Sequence, residues 1–523
     1  MTKQRGNWRS FGVGHLLAAA VLAFAAGGAS AQTDNRPSIT VAMPVIFTTH
    51  VATQNTNFAT RVTQNIYDRL IERDWLGAQD GGGTKPVPAL ATAWKQISPT
   101  TLEITLRPNV KFHNGETMTA EDVAFTLSAE RLWGPKPTEP FSFANTISEV
   151  SVVDPLTVRI TTKQPDPVIV QRLMTQMSMV VPKKHYLEVG VDKFGQAPIG
   201  TGPYRWSKLV PGEYLELVAF DDYWGGKPPL KTITFRVVPE TSARIAGLLT
   251  GEFDIITSLP SNQLGVVEKD KATEVRSVEV ENVQLLMFRS ATAGRPVADK
   301  RVRQAMVHAI DRQLLVDRLW NGMTTVPTTF SWPYLGEYYD KARKPRSYDP
   351  ERAKQLLAEA GYKGEQIILR NIAGYYLNMD RAVQVMLEMW KKVGLNVKLE
   401  LVENMAQMGW ATADLVAISN NFEMPDPLAP LWTSWGASSG FFRARGHWAP
   451  PQAFLDLGET LQTSFDPAQR RVAYQKMLDI WEDETPAILL YRPVESYGVR
   501  KNIEWRPYTM YWMDFRDFNF RKK

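Results

Sequence analysis

The chain has 523 residues, a formal charge of +5, no cysteine, and 16 Trp, 17 Tyr and 22 Phe. The missing thiol excludes disulfide staples, thiolate metal sites and cysteine nucleophiles, and it excludes a lipid anchor built on a first mature cysteine. Three of the positive charges fall in the first 31 residues, which leaves +2 and no basic stripe beyond Arg521–Lys523, so nucleic acid is not an expected partner.

Lys3, Arg5 and Arg9 precede an apolar, Ala-rich stretch from Phe11 to Gly28 and then Ala29-Ser30-Ala31. This is the pattern of an export signal cleaved after Ala31. The alternative, a transmembrane anchor, fits poorly with so short a stretch of small residues. An exported chain without an anchor belongs in a periplasm. The 492 residues from Gln32 onward exceed one core and imply two or three domains.

In chain order, Ser38–Pro44 alternates as a strand and a helix is expected over Thr60–Arg73, with Val62, Ile66 and Leu70 on one face. Thr101–Arg107 (TLEITLR) has the period of a half-buried strand. Lys111–Leu127 (KFHNGETMTAEDVAFTL) follows, with Asn114-Gly115 as a turn and a Thr119/Asp122 capping box opening a helix. Val150–Val153 and Leu156–Thr161 read as a hairpin pair, and Thr232–Val238 as a strand before a helix from Glu240. In Tyr348–Tyr362, Asp349 caps, Pro350 takes the first helical position, and Gly361 stops the helix. A second helix, Arg381–Val393, ends at Gly394 and the alternating strand Asn396–Leu401 follows. Helix, glycine and strand in short succession imply an α/β lobe.

The run Lys111–Leu127 resembles the signature of the bacterial extracellular solute-binding proteins of the peptide/nickel type, family 5. Ile199–Trp206 (IGTGPYRW), Asp221–Pro229 (DDYWGGKPP), Asp299–Leu319 and Tyr348–Tyr362 match the same family in order, so the resemblance spans about Ser38 to Trp505. It implies a periplasmic-binding-protein-like fold: two α/β lobes joined by a hinge, with an extra subdomain on lobe I. Carried onto this chain, lobe I is 32–85, 200–285 and 488–523, the extra subdomain is 86–199, and lobe II is 286–487. The interlobe crossings are expected near 286–291 and 487–493, with Gln284–Arg289 and Ala487–Tyr491 as buried strands there. The implied function is the periplasmic substrate-binding component of an ABC importer. It is a monomer that hands a small peptide, or peptide-like or opine-like, solute to a membrane permease, and needs no cofactor or metal.

The candidate ligand contacts follow from that resemblance. Ser419–Trp435 (SNNFEMPDPLAPLWTSW) matches the stretch in which peptide-binding relatives hold an acidic partner for the ligand ammonium. Asn420 or Asn421 stands at that spot, with Phe422 beside it and Glu423 able to take the role by a small shift. An amide accepts a hydrogen bond but supplies no counter-charge, which puts a free-N-terminus peptide in doubt. Asn371, Tyr375 and Tyr376 sit on a loop after a strand, where α/β crevices open. His50 and Asn55 occupy the lobe I side by family placement. Trp410, Trp432 and Trp435 are aromatic wall candidates, and Arg443 and Arg445 are candidates to grip a carboxylate.

Catalytic constellations are sparse. The six His residues form no HExxH or paired spacing for zinc. Gly436-Ala437-Ser438-Ser439-Gly440 matches G-x-S-x-G, but its flanks read as neither the strand nor the helix a nucleophile elbow needs. Two other classes stay open: a secreted hydrolase using Ser438, and a periplasmic sensor or chaperone-like binder.

Overall fold

The computed structural model describes residues 34–523 except 55, 57, 140, 423 and 438–446. Residues Arg36–Lys523 form one compact unit. Its frame is three sheets. A seven-stranded sheet runs, edge to edge, 273–279, 494–500, 255–256, 38–43, 232–237, 214–219, 204–210. A five-stranded sheet runs 397–402, 367–372, 415–421, 282–288, 487–491, and a four-stranded sheet is built from 91–106 and 147–162. Helices pack on the first two sheets, giving two α/β lobes.

Strands Thr273–Glu279 and Val494–Arg500 pair antiparallel in the seven-stranded sheet, and Asn282–Phe288 pairs with Ala487–Tyr491 in the five-stranded sheet. The chain therefore passes between lobes at Val280–Glu281 and returns at Arg492–Pro493, ahead of the 286–291 expected for the first crossing. The two crossings are tied together: Val280 N donates to Pro493 O at 3.0 Å, and Arg492 Nη1 meets Glu279 Oε1 at 2.8 Å. Glu281 is held on the other side by Arg73, whose Nη1 donates to Glu281 Oε2 at 2.7 Å and whose Nη2 reaches Oε1.

The parallel strands set where a site can form. Ser38–Met43 is parallel to both Thr232–Val237 and Ile255–Ile256, so the loops after all three leave one end of the sheet. Ile367–Ile372 is likewise parallel to Val397–Val402 and to Leu415–Asn421. Crevices in α/β sheets open at such carboxyl ends.

Several local expectations hold. Asp349 Oδ1 accepts from Arg352 N at 2.9 Å, and Gly361 takes the left-handed conformation that ends the helix Pro350–Ala360. Thr119 N donates to Asp122 Oδ2 at 2.8 Å before the helix Ala120–Thr126. One expectation needs correction. The helix begun near Thr60 covers only Ala59–Ile66; Tyr67 turns extended, and Ile71–Arg73 is a strand paired with Pro86–Pro88. Val62 and Ile66 do share a core, but Leu70 belongs to another. The stop comes from the motif at Ile199–Trp206: Gly202 N donates to Ile66 O at 2.9 Å. A Cβ on Gly200 or Gly202 would lie 2.2 or 2.6 Å from the Ile66 peptide.

The two sequence signatures dock on each other through His113. Gly200 N donates to its Nδ1 at 3.3 Å, which leaves Nε2–H to donate to Gly202 O at 3.0 Å. Burial lowers the His113 pKa to about 4, so the ring is the neutral Nε2–H tautomer.

Candidate interlobe binding site

Between the lobes lies a groove of about 530 Å³. On one wall Pro239, Thr241 and Asn262 come from the loops at the carboxyl end of the seven-stranded sheet. On the other, Tyr376, Asn378 and Arg381 come from the loop and helix after Ile367–Ile372. Polar side chains from both lobes thus face one space, which is what an orienting small-molecule site requires. At its flank the lobes already touch: Ser261 Oγ donates to Leu319 O at 2.7 Å, and Asn321 Nδ2 donates to Ser261 O at 3.0 Å.

Tyr376 is the residue that carries the second wall. Its hydroxyl accepts from Ser419 N at 3.1 Å and lies 3.3 Å from Ser419 Oγ, and its ring meets Tyr375 edge-on at 4.7 Å. Burial raises the pKa of both tyrosines, so they stay neutral donors or acceptors. Asn371 is buried behind them; its Nδ2 bonds Asp380 Oδ1, while Asp380 Oδ2 accepts from Gly374 N at 2.9 Å. The pair fixes the loop 373–378 and leaves Asn371 Oδ1 without a protein donor.

The two asparagines at the end of Leu415–Asn421 point to different places. Asn420 is buried, with Nδ2 on Pro430 O and Oδ1 on Ser434 Oγ, both at 2.7 Å. Asn421 is half-buried and accepts from Asn282 Nδ2 beside the crossing. Phe422 packs on Trp332 at 4.2 Å in the apolar core. Trp432 and Trp435 are also core residues: Trp432 Nε1 donates to Gln462 Oε1 at 2.8 Å, and Trp435 lies among Phe330, Trp448 and Trp481. Trp410 is half-buried against His447. Asn55, Glu423, Arg443, Arg445 and Ser438 lie outside the described residues.

His50 sits elsewhere on lobe I. It is fully buried with its ring 5.4 Å from Trp206, and neither ring nitrogen has a protein partner. Burial lowers its pKa to about 4, so it is neutral. Its loop is pinned to the four-stranded region through Thr53 Oγ1, which donates to Glu139 Oε2 at 2.7 Å.

The sequence reading missed a second set of residues by the groove. Arg61 Nη2 donates to Glu495 Oε1 at 2.7 Å, and the same oxygen accepts from Ser258 N at 2.8 Å. Ser258 O accepts from Arg244 Nη2, which also reaches Thr241 Oγ1 on the groove wall. Tyr511 packs on Arg61, with its ring centroid 5.6 Å from the guanidinium, and burial raises the pKa of its hydroxyl. The only local signal was a charged residue inside a helix expected to be amphipathic. Among the described residues no group of His, Asp and Glu is arranged to hold a metal ion.

The family model for "Bacterial extracellular solute-binding proteins, family 5 Middle" matches residues 85–442. The dipeptide-binding protein of Escherichia coli (strain K12) is 24% identical over 477 residues, covering 84% of this chain and 86% of that protein. The glutathione-binding protein GsiB of Salmonella paratyphi A is 27% identical over 409 residues, covering 75% of this chain and 77% of that protein. The periplasmic binding protein DppA from Helicobacter pylori, solved with the peptide STSA, superposes with a TM-score of 0.81 at 22% identity. That alignment covers 93% of this chain and 98% of DppA, and it shows a shared fold.

Proposed function

This chain belongs to the bacterial extracellular solute-binding proteins, family 5, and from that premise we propose that it is the capturing subunit of an ABC importer, closing two lobes over a small solute and presenting it to a membrane permease. The observation that carries the reading is the groove lined from both lobes beside a double crossing. Solute touching both walls favours the closed form; solute touching one wall has no differential affinity and cannot close it. Val280–Glu281 and Arg492–Pro493 are the hinge, because backbone rotation there moves one sheet against the other without breaking either.

In this reading lobe I is built on the seven-stranded sheet, lobe II on the five-stranded sheet, and the four-stranded sheet is the extra subdomain. Residues 1–31 are removed on export, and the working location is the periplasm. No helix among the described residues is long and apolar enough to cross a membrane. The protein binds and releases its cargo unchanged, as a monomer, and nucleic acid plays no part. Its cargo is a peptide, a peptide-like conjugate or a comparably sized solute, contacted by Tyr376, Asn421 and the polar groups of the opposite wall.

Small-angle scattering tests this. A thermal-shift screen of dipeptides, glutathione and opine-type conjugates selects the compound that raises Tm most, since binding to the native state alone stabilises it. At saturation that compound should shrink the radius of gyration. An unchanged profile contradicts closure.

A further inference from the structure

Lobe I carries a guanidinium, linked to the groove wall by hydrogen bonds through Glu495, Ser258 and Arg244 to Thr241, that the fold leaves partly unused. Arg61 is 1% exposed, and its only charged partner among the described residues is Glu495, through Nη2. Nε and Nη1 meet no protein acceptor. Of the five N–H donors on an arginine, one is answered by Glu495 and four are not, including the three on Nε and Nη1. The rings of Phe58 and Tyr511 flank the guanidinium at 5.1 and 5.6 Å, and the buried Tyr497 hydroxyl adjoins it without an aligned hydrogen bond.

Two other buried arginines, Arg73 and Arg470, are finished by the fold. Arg73 spends every nitrogen on Glu281 and on the Gly82 and Gly83 carbonyls. Arg470 spends Nε on Leu461 O, Nη1 on Tyr338 and Nη2 on Asp426. Arg69 does leave two nitrogens unanswered, but it lies on Trp512 at 3.8 Å, and the groups acting on it (Glu72, Arg516, Asp514) all belong to lobe I. Arg61 differs by its position: Glu495 links it through Ser258 and Arg244 to Thr241 on one groove wall, and the Tyr511 ring lies 5.6 Å from its guanidinium.

We infer that Arg61 is a specificity-determining residue that receives a carboxylate of the cargo, so that the solute is an acid. Glu495 orients the guanidinium and Phe58 and Tyr511 hold it flat, leaving Nε–H and Nη1–H to bond the incoming anion. A charge-assisted bond to an oxyanion is the strongest use of such donors. This inference rests on the solute-binding reading above.

The test uses matched acid and amide probes: alanyl-alanine with its C-terminal amide, succinate with succinamide, and glutathione with its dimethyl ester. Binding is followed by calorimetry and thermal shift on the full exported protein. At least one acid should bind wild type about tenfold or more tightly than its neutral partner. Arg61→Met should erase that preference. Arg61→Lys, which keeps a cation against Glu495, should keep the fold and show an intermediate preference. Pairs that bind alike, no acid that binds better than its partner, or a preference surviving in a folded Arg61→Met protein each overturn the inference. Scattering separates the two claims: if neutral probes alone compact the protein, binding by closure stands and the acid anchor falls; if no probe compacts it, both fall.

Discussion

Two buried arginines on lobe I, twelve positions apart in sequence, are treated in opposite ways. Arg73, at the crossing, has every nitrogen answered, with Glu281 as a two-oxygen partner and Trp75 stacked at 4.0 Å. Arg61, by the groove, is as deeply buried and has one carboxylate oxygen. A buried cation that is fully bonded has no capacity left for a ligand; it fixes geometry. One that is half bonded keeps donors for something else. On the function and the carboxylate anchor proposed above, the contrast separates the part of lobe I that sets the hinge from the part that meets cargo.

The largest effect is expected at the hinge. Glu281→Ala strips Arg73 of its only acid and should cost about 3–5 kcal/mol in denaturant unfolding. A loss under about 1 kcal/mol would mean that Arg73 is not structural, and the contrast would collapse. Next comes pH. His50 titrates near pH 4 when folded against 6.5 ordinarily. Below pH 6.5 the unfolded chain binds a proton there that the folded chain refuses until about pH 4. Stability from this group is therefore complete above pH 6.5, falls with pH across that window and levels off below it, by about 3 kcal/mol in all. Comparing the stabilities from urea melts of wild type and His50→Asn at pH 7 and pH 4.5 isolates that share, and an equal loss of stability in both proteins would contradict it.

A smaller effect sharpens the comparison from the groove side. The double variant Arg61→Met/Glu495→Gln removes both charges of a buried pair together, keeps an acceptor for Ser258 N, and should unfold within about 1 kcal/mol of wild type, since removing both partners of a buried ion pair is often near neutral. A cost as large as that of Glu281→Ala would make Arg61 structural too. The smallest concerns the contact beside the groove. Asn321 has a left-handed backbone (φ 51°), so Asn321→Gly keeps the turn and deletes one interlobe hydrogen bond to Ser261. It should shift the open–closed balance by about 1 kcal/mol, read as a wider distance distribution between lobes.

Much of the frame was legible because its signals are local. Asp349, Pro350 and Gly361 bound their helix within a dozen residues, and Thr119 and Asp122 cap theirs across one turn. The family motifs implied the two-lobed α/β fold. What stayed hidden depends on partners far along the chain. The helix from Ala59 stops at Ile66 because Gly202 takes its carbonyl. Arg61 and Glu495 are separated by 434 positions, and Arg73 and Glu281 by 208. No periodicity announces such pairs. At the candidate site, the loop 373–378 could be placed from its position after a strand, although Asn371, expected on it, is still in that strand, whereas the inward turn of Asn420 toward Pro430 and Ser434 is decided by tertiary packing.

The account turns on lobes that approach each other over an acidic solute. The chain has no cysteine, so Ala243→Cys and Gln384→Cys, two exposed positions on the helices flanking the groove, give a uniquely spin-labelled pair. Pulsed dipolar spectroscopy should show that interlobe distance narrowing and shortening when the acid probe that stabilises the protein most is added to saturation. A distribution that does not move at saturation would contradict the account.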